Sequence, residues 1–141
     1  MIPRFRAWGV ERYPGLKQPA PKMHRNVSVV TTYPEGITFV LTDFSMWGDD
    51  EYSGSIIDEA ILMQSTGLCD KEGTEVFEGD ILHHQIQTEY TFIVKYDKDK
   101  GRWYGDGLSR TYRIDITKEF LPYYKVIGNI YENPELLEVE G

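Results

Sequence analysis

Residues 79–104 read GDILHHQIQTEYTFIVKYDKDKGRWY, and the reading of this stretch decides the fold. Within 89–96, Tyr90, Phe92, Val94 and Tyr96 alternate with Thr91, Ile93 and Lys95. Side chains on a strand point to opposite faces in turn, so this period predicts a strand with one aromatic and aliphatic face. Its other face is only partly polar. Residues 97–101 (DKDKG) then supply a charged hairpin loop that ends on glycine, and Arg102, Trp103 and Tyr104 begin the return strand. Upstream, Gly79-Asp80 leads into a strand over 81–87. Glu78-Gly79-Asp80 reads as architectural. Glycine permits a sharp backbone turn, and the Asp80 carboxylate can accept hydrogen bonds from loop amides.

Working outward, Tyr112, Ile114 and Ile116 alternate with Arg113 and Asp115, which predicts another strand. Residues 118–121 suggest one helical turn stopped by Pro122, and 123–131 a last strand. Asn133-Pro134 offers an N-cap and a first-turn proline for a short turn through Leu137. Four or five short strands in about 55 residues, joined by tight turns, predict a small barrel in the C-terminal half. Toward the N-terminus, residues 26–33 (NVSVVTTY) and 37–44 (ITFVLTDF) flank Pro34-Glu35-Gly36 and predict a hairpin. Residues 48–54 (GDDEYSG) form a polar loop, 58–64 fit either strand or helix, and Asp70-Lys71-Glu72-Gly73 is a turn.

The chain has 141 residues, 40% of them hydrophobic and 13% aromatic, which is enough for a real core and rules out wholesale disorder. Its formal net charge is -8, so a general phosphate-binding surface is disfavoured unless charge is segregated. Segregated it is. Residues 1–25 carry Arg4, Arg6, Arg12, Lys17, Lys22 and Arg25 against Glu11, net +5, and residues 26–70 carry eight acids and no Lys or Arg. A basic arm beside an acidic stretch can pair within one chain or between two copies. No apolar run is long enough for a membrane helix, and MIPRFRAW lacks an apolar run of signal-peptide length. The one cysteine, Cys69, suits a reducing cytoplasm, so the expected location is cytoplasmic, with no membrane association.

Motifs for chemistry are weak. His83 and His84 are adjacent and would point to opposite faces of a strand, so they cannot chelate one ion together. One imidazole is expected to be exposed and the other packed on the barrel. Asp43, Asp49, Asp50 and Glu51 lack the alternating spacing of a calcium loop. Nucleophile-elbow, phosphate-loop, dinucleotide and zinc-helix signatures are absent from the sequence. No catalytic residue, cofactor or metal is therefore expected, and the chain is read as non-enzymatic. The candidate interaction surface is Arg4, Arg6 and Arg12 of the arm, with Arg102, Trp103 and Tyr104, whose rings could stack on a base or sugar. Trp8 is expected to be buried.

Three segments carry a family resemblance: RFRAW at 4–8, LMQSTGLCDKEGTEVFEGDIL at 62–82 and VIGNIYENPELL at 126–137. In this order and spacing the chain resembles the YopX family of phage and prophage proteins. The segments cover 38 of 141 residues but bracket the whole chain. Cys69 and Ser65 depart from the commoner residues at their positions, and neither departure threatens the fold. The resemblance implies a phage or prophage origin and a mainly β, YopX-like chain. It implies an N-terminal β subdomain over 1–68 and a C-terminal SH3-like small barrel over 69–141. It also implies self-association, and no established activity or functional residues. The expected function is that of an accessory protein acting as a homo-oligomer and through contacts with a host or phage protein. A nucleic-acid-binding module using the basic arm and barrel aromatics is one alternative. An acidic decoy of a host DNA-binding protein is the other.

Overall fold

The computed structural model describes residues 4–11, 20–25, 27–31, 34–36, 38–42, 56–87, 90–108 and 113–137. The 48–54 loop, Arg12 and Tyr112 lie outside them. The described chain is mainly antiparallel β and divides into two compact units, Ile2–Met63 and Gln64–Gly141. The boundary between them falls at 63/64, inside the strand Ile57–Cys69.

In the first unit, β1 (Phe5–Glu11) pairs antiparallel with β2 (Lys22–His24), with Ala7 opposite His24 and Trp8 opposite Met23. β3 (Val27–Thr31) and β4 (Thr38–Thr42) form the expected hairpin, Val27 opposite Thr42 and Thr31 opposite Thr38. Between them Gly36 takes a φ of 71°, the left-handed geometry that its lack of a Cβ makes accessible. Ala7, Val40 and Ile57 form the buried core, flanked by Val27, Ala60 and Leu62. Trp8 is half-buried, which corrects the expectation of full burial. β1 lies inside a sheet ordered β2-β1-β5-β6, and the buried residues described on it are Arg6, Ala7 and Gly9. An indole is large enough that complete cover is rare.

The ambiguous segment at 58–64 is strand: β5 runs Ile57–Cys69. Its later half pairs with β6 (Glu75–Phe77) through Ser65 opposite Phe77 and Cys69 opposite Glu75, with a register shift between. The second unit holds a five-stranded antiparallel sheet ordered β10-β9-β8-β7-β11. Its strands are β7 (Asp80–His84), β8 (Thr91–Asp97), β9 (Arg102–Gly107), β10 (Arg113–Asp115) and β11 (Tyr124–Asn129). The β8–β9 hairpin has the register that the alternation predicts, Tyr96 opposite Trp103 and Asp97 opposite Arg102.

One face of this sheet is the core. Val76, Leu82, Phe92, Val94, Ile116, Leu121 and Tyr124 are buried together, with Trp103, Ile114 and Val126 packed against them. At about 25 cal/mol per Å² of apolar area removed from water, each such side chain contributes roughly 1.5–3 kcal/mol. Two local expectations need correction. Pro122 does not stop a helical turn; it sits inside a single 3-10 turn, Leu121–Tyr123, where its missing N–H costs nothing. Asn133 precedes the 3-10 turn Pro134–Leu137 as expected, but its Oδ1 accepts from the Asn129 amide at 3.2 Å and so ties the turn back to β11.

Candidate functional site

The second unit opens a cleft of about 390 Å³ at the end of the sheet where β7 stops and β11 starts. His84 and Gln87 line it from β7 and the loop after it, Tyr90 from just before β8, Phe92 from β8, and Ile114 from β10. Glu119, Phe120, Tyr123 and Tyr124 line it from the 3-10 turn and its flanks. The antiparallel register that sets His84 opposite Tyr124, and His83 opposite Thr91, brings these distant positions together.

His84 is the centre of the ring cluster. Its ring lies edge-on to Tyr124 at 4.9 Å and to Tyr90 at 6.4 Å, and parallel within 4° to Tyr123 at 6.1 Å. Phe120 stacks on Tyr124 at 4.0 Å. The His84 Nδ1 accepts two backbone N–H groups, from Ile86 at 3.1 Å and Gln87 at 2.8 Å. With Nδ1 engaged as the acceptor, Nε2 is the ring's donor. His83 is also half-buried, with Nδ1 at 3.0 Å from the Thr91 hydroxyl. One imidazole is thus packed among rings as expected, while the other is less exposed than expected.

The carboxylates of the motif segments serve the backbone. Asp70 is buried, and its Oδ1 accepts from the amides of Glu72 at 2.8 Å and Thr74 at 2.9 Å. Its Oδ2 accepts from the Val126 amide at 2.8 Å, across 56 residues of chain. Asp80, 1% exposed, accepts from the Phe77 amide at 2.7 Å, the architectural role expected of Glu78-Gly79-Asp80. Asn129 is buried, and its Oδ1 accepts from Tyr131 and Glu132 at 3.1 and 2.8 Å. Burial raises the Glu78 carboxyl above its ordinary 4.5, against the opposing pull of a backbone hydrogen bond at Gln64 and the charge of Lys98.

The described interaction residues fall in both units, Arg4 and Arg6 in the first and Arg102, Trp103 and Tyr104 in the second. Arg4 is exposed in the first unit, whereas Arg6, on β1, is only 2% exposed and presents no guanidinium to solvent. That corrects its place in a solvent-facing basic patch. Trp103 and Tyr104 are neighbours on one strand and therefore face opposite ways. Trp103 packs on the core and lies edge-on to Tyr96 at 4.9 Å. Tyr104 carries the Arg113 guanidinium 3.7 Å above its ring. Arg102 is paired with Asp115 at 3.0 Å, Arg113 with Asp97 at 2.8 Å and Lys95 with Asp106 at 2.7 Å. The Asp97 carboxyl is held below its ordinary value, first by the Lys100 amide and also by Arg113.

The cleft was missed in the sequence because its members are spread over 84–124. The one signal was the placing of His84 and Tyr90 on the ends of strands whose registers could be read. Among the described residues, no three His, Cys, Asp or Glu side chains gather as a metal site would need, and no helix is long and apolar enough to cross a membrane.

The described residues define an antiparallel β protein in which Asp70, Asp80 and Asn129 serve backbone amides and an aromatic cleft lies at a sheet end. Over residues 4–138 the chain matches the family described as YopX protein, and it belongs to that family. Among solved structures it is similar to protein EF1440 from Enterococcus faecalis, with 34% identity and a TM-score of 0.63 over 98% of this chain and 99% of that one. It is also similar in fold to protein yopX from Bacillus subtilis, at 17% identity and a TM-score of 0.55 over 98% of each chain. A search of curated proteins finds no match.

Proposed function

We propose that this chain is a phage or prophage accessory protein that acts without catalysis, as a homo-oligomer and through contacts with another protein in the host cytoplasm. On this reading the C-terminal half is an SH3-like small barrel and the N-terminal β subdomain carries the basic arm. The observation that carries it is an apolar projection beside the cleft. Ile86 is 78% exposed and Tyr123 is 57% exposed, and the Gln85 amide bonded to the Tyr123 carbonyl at 3.0 Å holds their two segments together. Large apolar groups grouped this way mark contact surfaces, and interface cores are enriched in aromatic residues. The engagement of His84, Asp70 and Asp80 by backbone amides further supports a role without acid–base chemistry.

Light scattering at micromolar protein tests self-association. The expected mass is a multiple of 16.4 kDa at both low and moderate salt, falling toward one copy for Ile86→Asp. A mass of one copy at both salts sinks the oligomer. A multiple that survives only at low salt would assign the association to charge rather than to aromatic burial.

A further inference from the structure

We propose that the cleft receives a cationic side chain, Arg or Lys, from a protein segment lying across the exposed Ile86 and Tyr123. The inference deepens the protein-contact reading above and rests on it, but it is tested without reference to oligomeric state.

The first argument is ring surface. Phe120 and Tyr124, 4.0 Å apart, cover each other's faces. His84 and Tyr123 stack with an offset, parallel within 4° at 6.1 Å, so their rings overlap only in part. Tyr123 is 57% exposed, so part of its ring surface remains open to another group at the cleft. The second argument is charge. Among the described residues that line the cleft, the one carboxylate is that of the exposed Glu119, and no Lys or Arg is present. Aromatic faces with one carboxylate at the edge suit an ammonium or guanidinium group, which rings attract through their quadrupoles. The whole chain, at net -8, adds long-range attraction for a basic segment. The third argument is cover. A small free ion would fill the cleft and leave Ile86 in water at 78% exposure, whereas a peptide segment covers both.

The test uses the full chain and four probes, read by the NMR shifts of the Tyr123, Tyr90 and His84 rings. They are the peptides acetyl-Gly-Leu-Arg-Leu-Gly-amide and acetyl-Gly-Leu-Lys-Leu-Gly-amide, the first peptide with citrulline for arginine, and free butylguanidinium. Citrulline keeps the shape and removes the charge. We expect saturable shifts with at least one of the two cationic peptides, and binding weaker by about tenfold for citrulline or for Tyr123→Ala, the size of a partly desolvated cation–π contact. Glu119→Gln is expected to weaken binding and flatten its salt dependence. Because Tyr123 and Glu119 are exposed, both variants should keep the wild-type melting temperature. Equal affinity for citrulline and arginine peptides overturns the cation site and leaves an apolar cleft. Equal affinity for butylguanidinium and peptide overturns the protein source. Shifts confined to residues outside the cleft, or no saturation with either cationic peptide, overturn the proposal outright, while the light-scattering mass remains free to support or sink self-association.

Discussion

Asp70 binds three backbone amides with one carboxylate, and those amides come from both its own turn and β11. In Asp70→Asn the amide that replaces Oδ2 would face the Val126 N–H donor to donor. We expect a loss of roughly 1–3 kcal/mol, the cost of an unsatisfied buried donor, read as a lower urea midpoint with an unchanged slope. An unchanged midpoint would show that the clasp contributes nothing. Glu78 acts in the opposite sense. Its folded-state proton affinity is raised by burial above the ordinary 4.5, so the folded state binds more protons than the unfolded one across that window. Stability contributed by the neutral form is full below the unfolded value and is lost as pH rises through the folded one. Glu78→Gln should therefore be more stable than wild type at neutral pH, with the difference vanishing at about pH 4. A variant that is less stable at neutral pH would contradict this.

Between the strands of the β8–β9 hairpin, packing is as tight as the turn is permissive. Gly101 closes the loop at a φ of 64°, and the Asp97 carboxylate accepts the Asp99 and Lys100 amides at 3.0 and 3.2 Å. These interactions span fewer than five residues, so the turn was legible in DKDKG. Gly105 was not singled out by the sequence. It lies opposite Val94, and a Cβ there would come within 2.9 Å of the Phe92 Cβ. Phe92 is 1% exposed and edge-on to Phe120 and Tyr124, so it has little room to yield. Gly105→Ala should cost about 1–3 kcal/mol, as overpacking does, whereas Gly101→Ala should cost nearer 1 through backbone strain alone. Thermal unfolding of the two variants separates them, and an equal, small effect would mean that the sheet relaxes around the new methyl.

At the scale of the whole chain, charge argues against nucleic acid. Net charge is -8, and Arg102, Arg113 and Lys95 are each already paired with an aspartate. Phosphate would have to displace those carboxylates. We expect no duplex binding at physiological salt, and any low-salt binding to fall steeply with added salt and to disappear when residues 1–25 are deleted. Tight, salt-insensitive binding in a fluorescence anisotropy titration that survives the deletion would reverse this reading.

What the sequence alone determined was local: the hairpin turns at 34–36 and 97–101, the inward face of β8, and the bond from Asp80 to a loop amide. Each depends on residues within a few positions, where backbone geometry and side-chain alternation act directly. The segment at 58–64 stayed open between strand and helix, because its short run of residues carries no period that decides it. In the structure it is the first half of β5, a strand that pairs with β6 only through its later half, with Glu59 at a φ of 53° breaking its regularity. Arg6 was read as a surface charge and is buried, because the sheet around β1, not the residue type, sets its exposure. The ring cluster around His84 belongs to the tertiary structure entirely. His84, Tyr90 and Tyr123 meet because β7 pairs with both β8 and β11, and pairing across 40 residues of chain leaves no trace in local pattern.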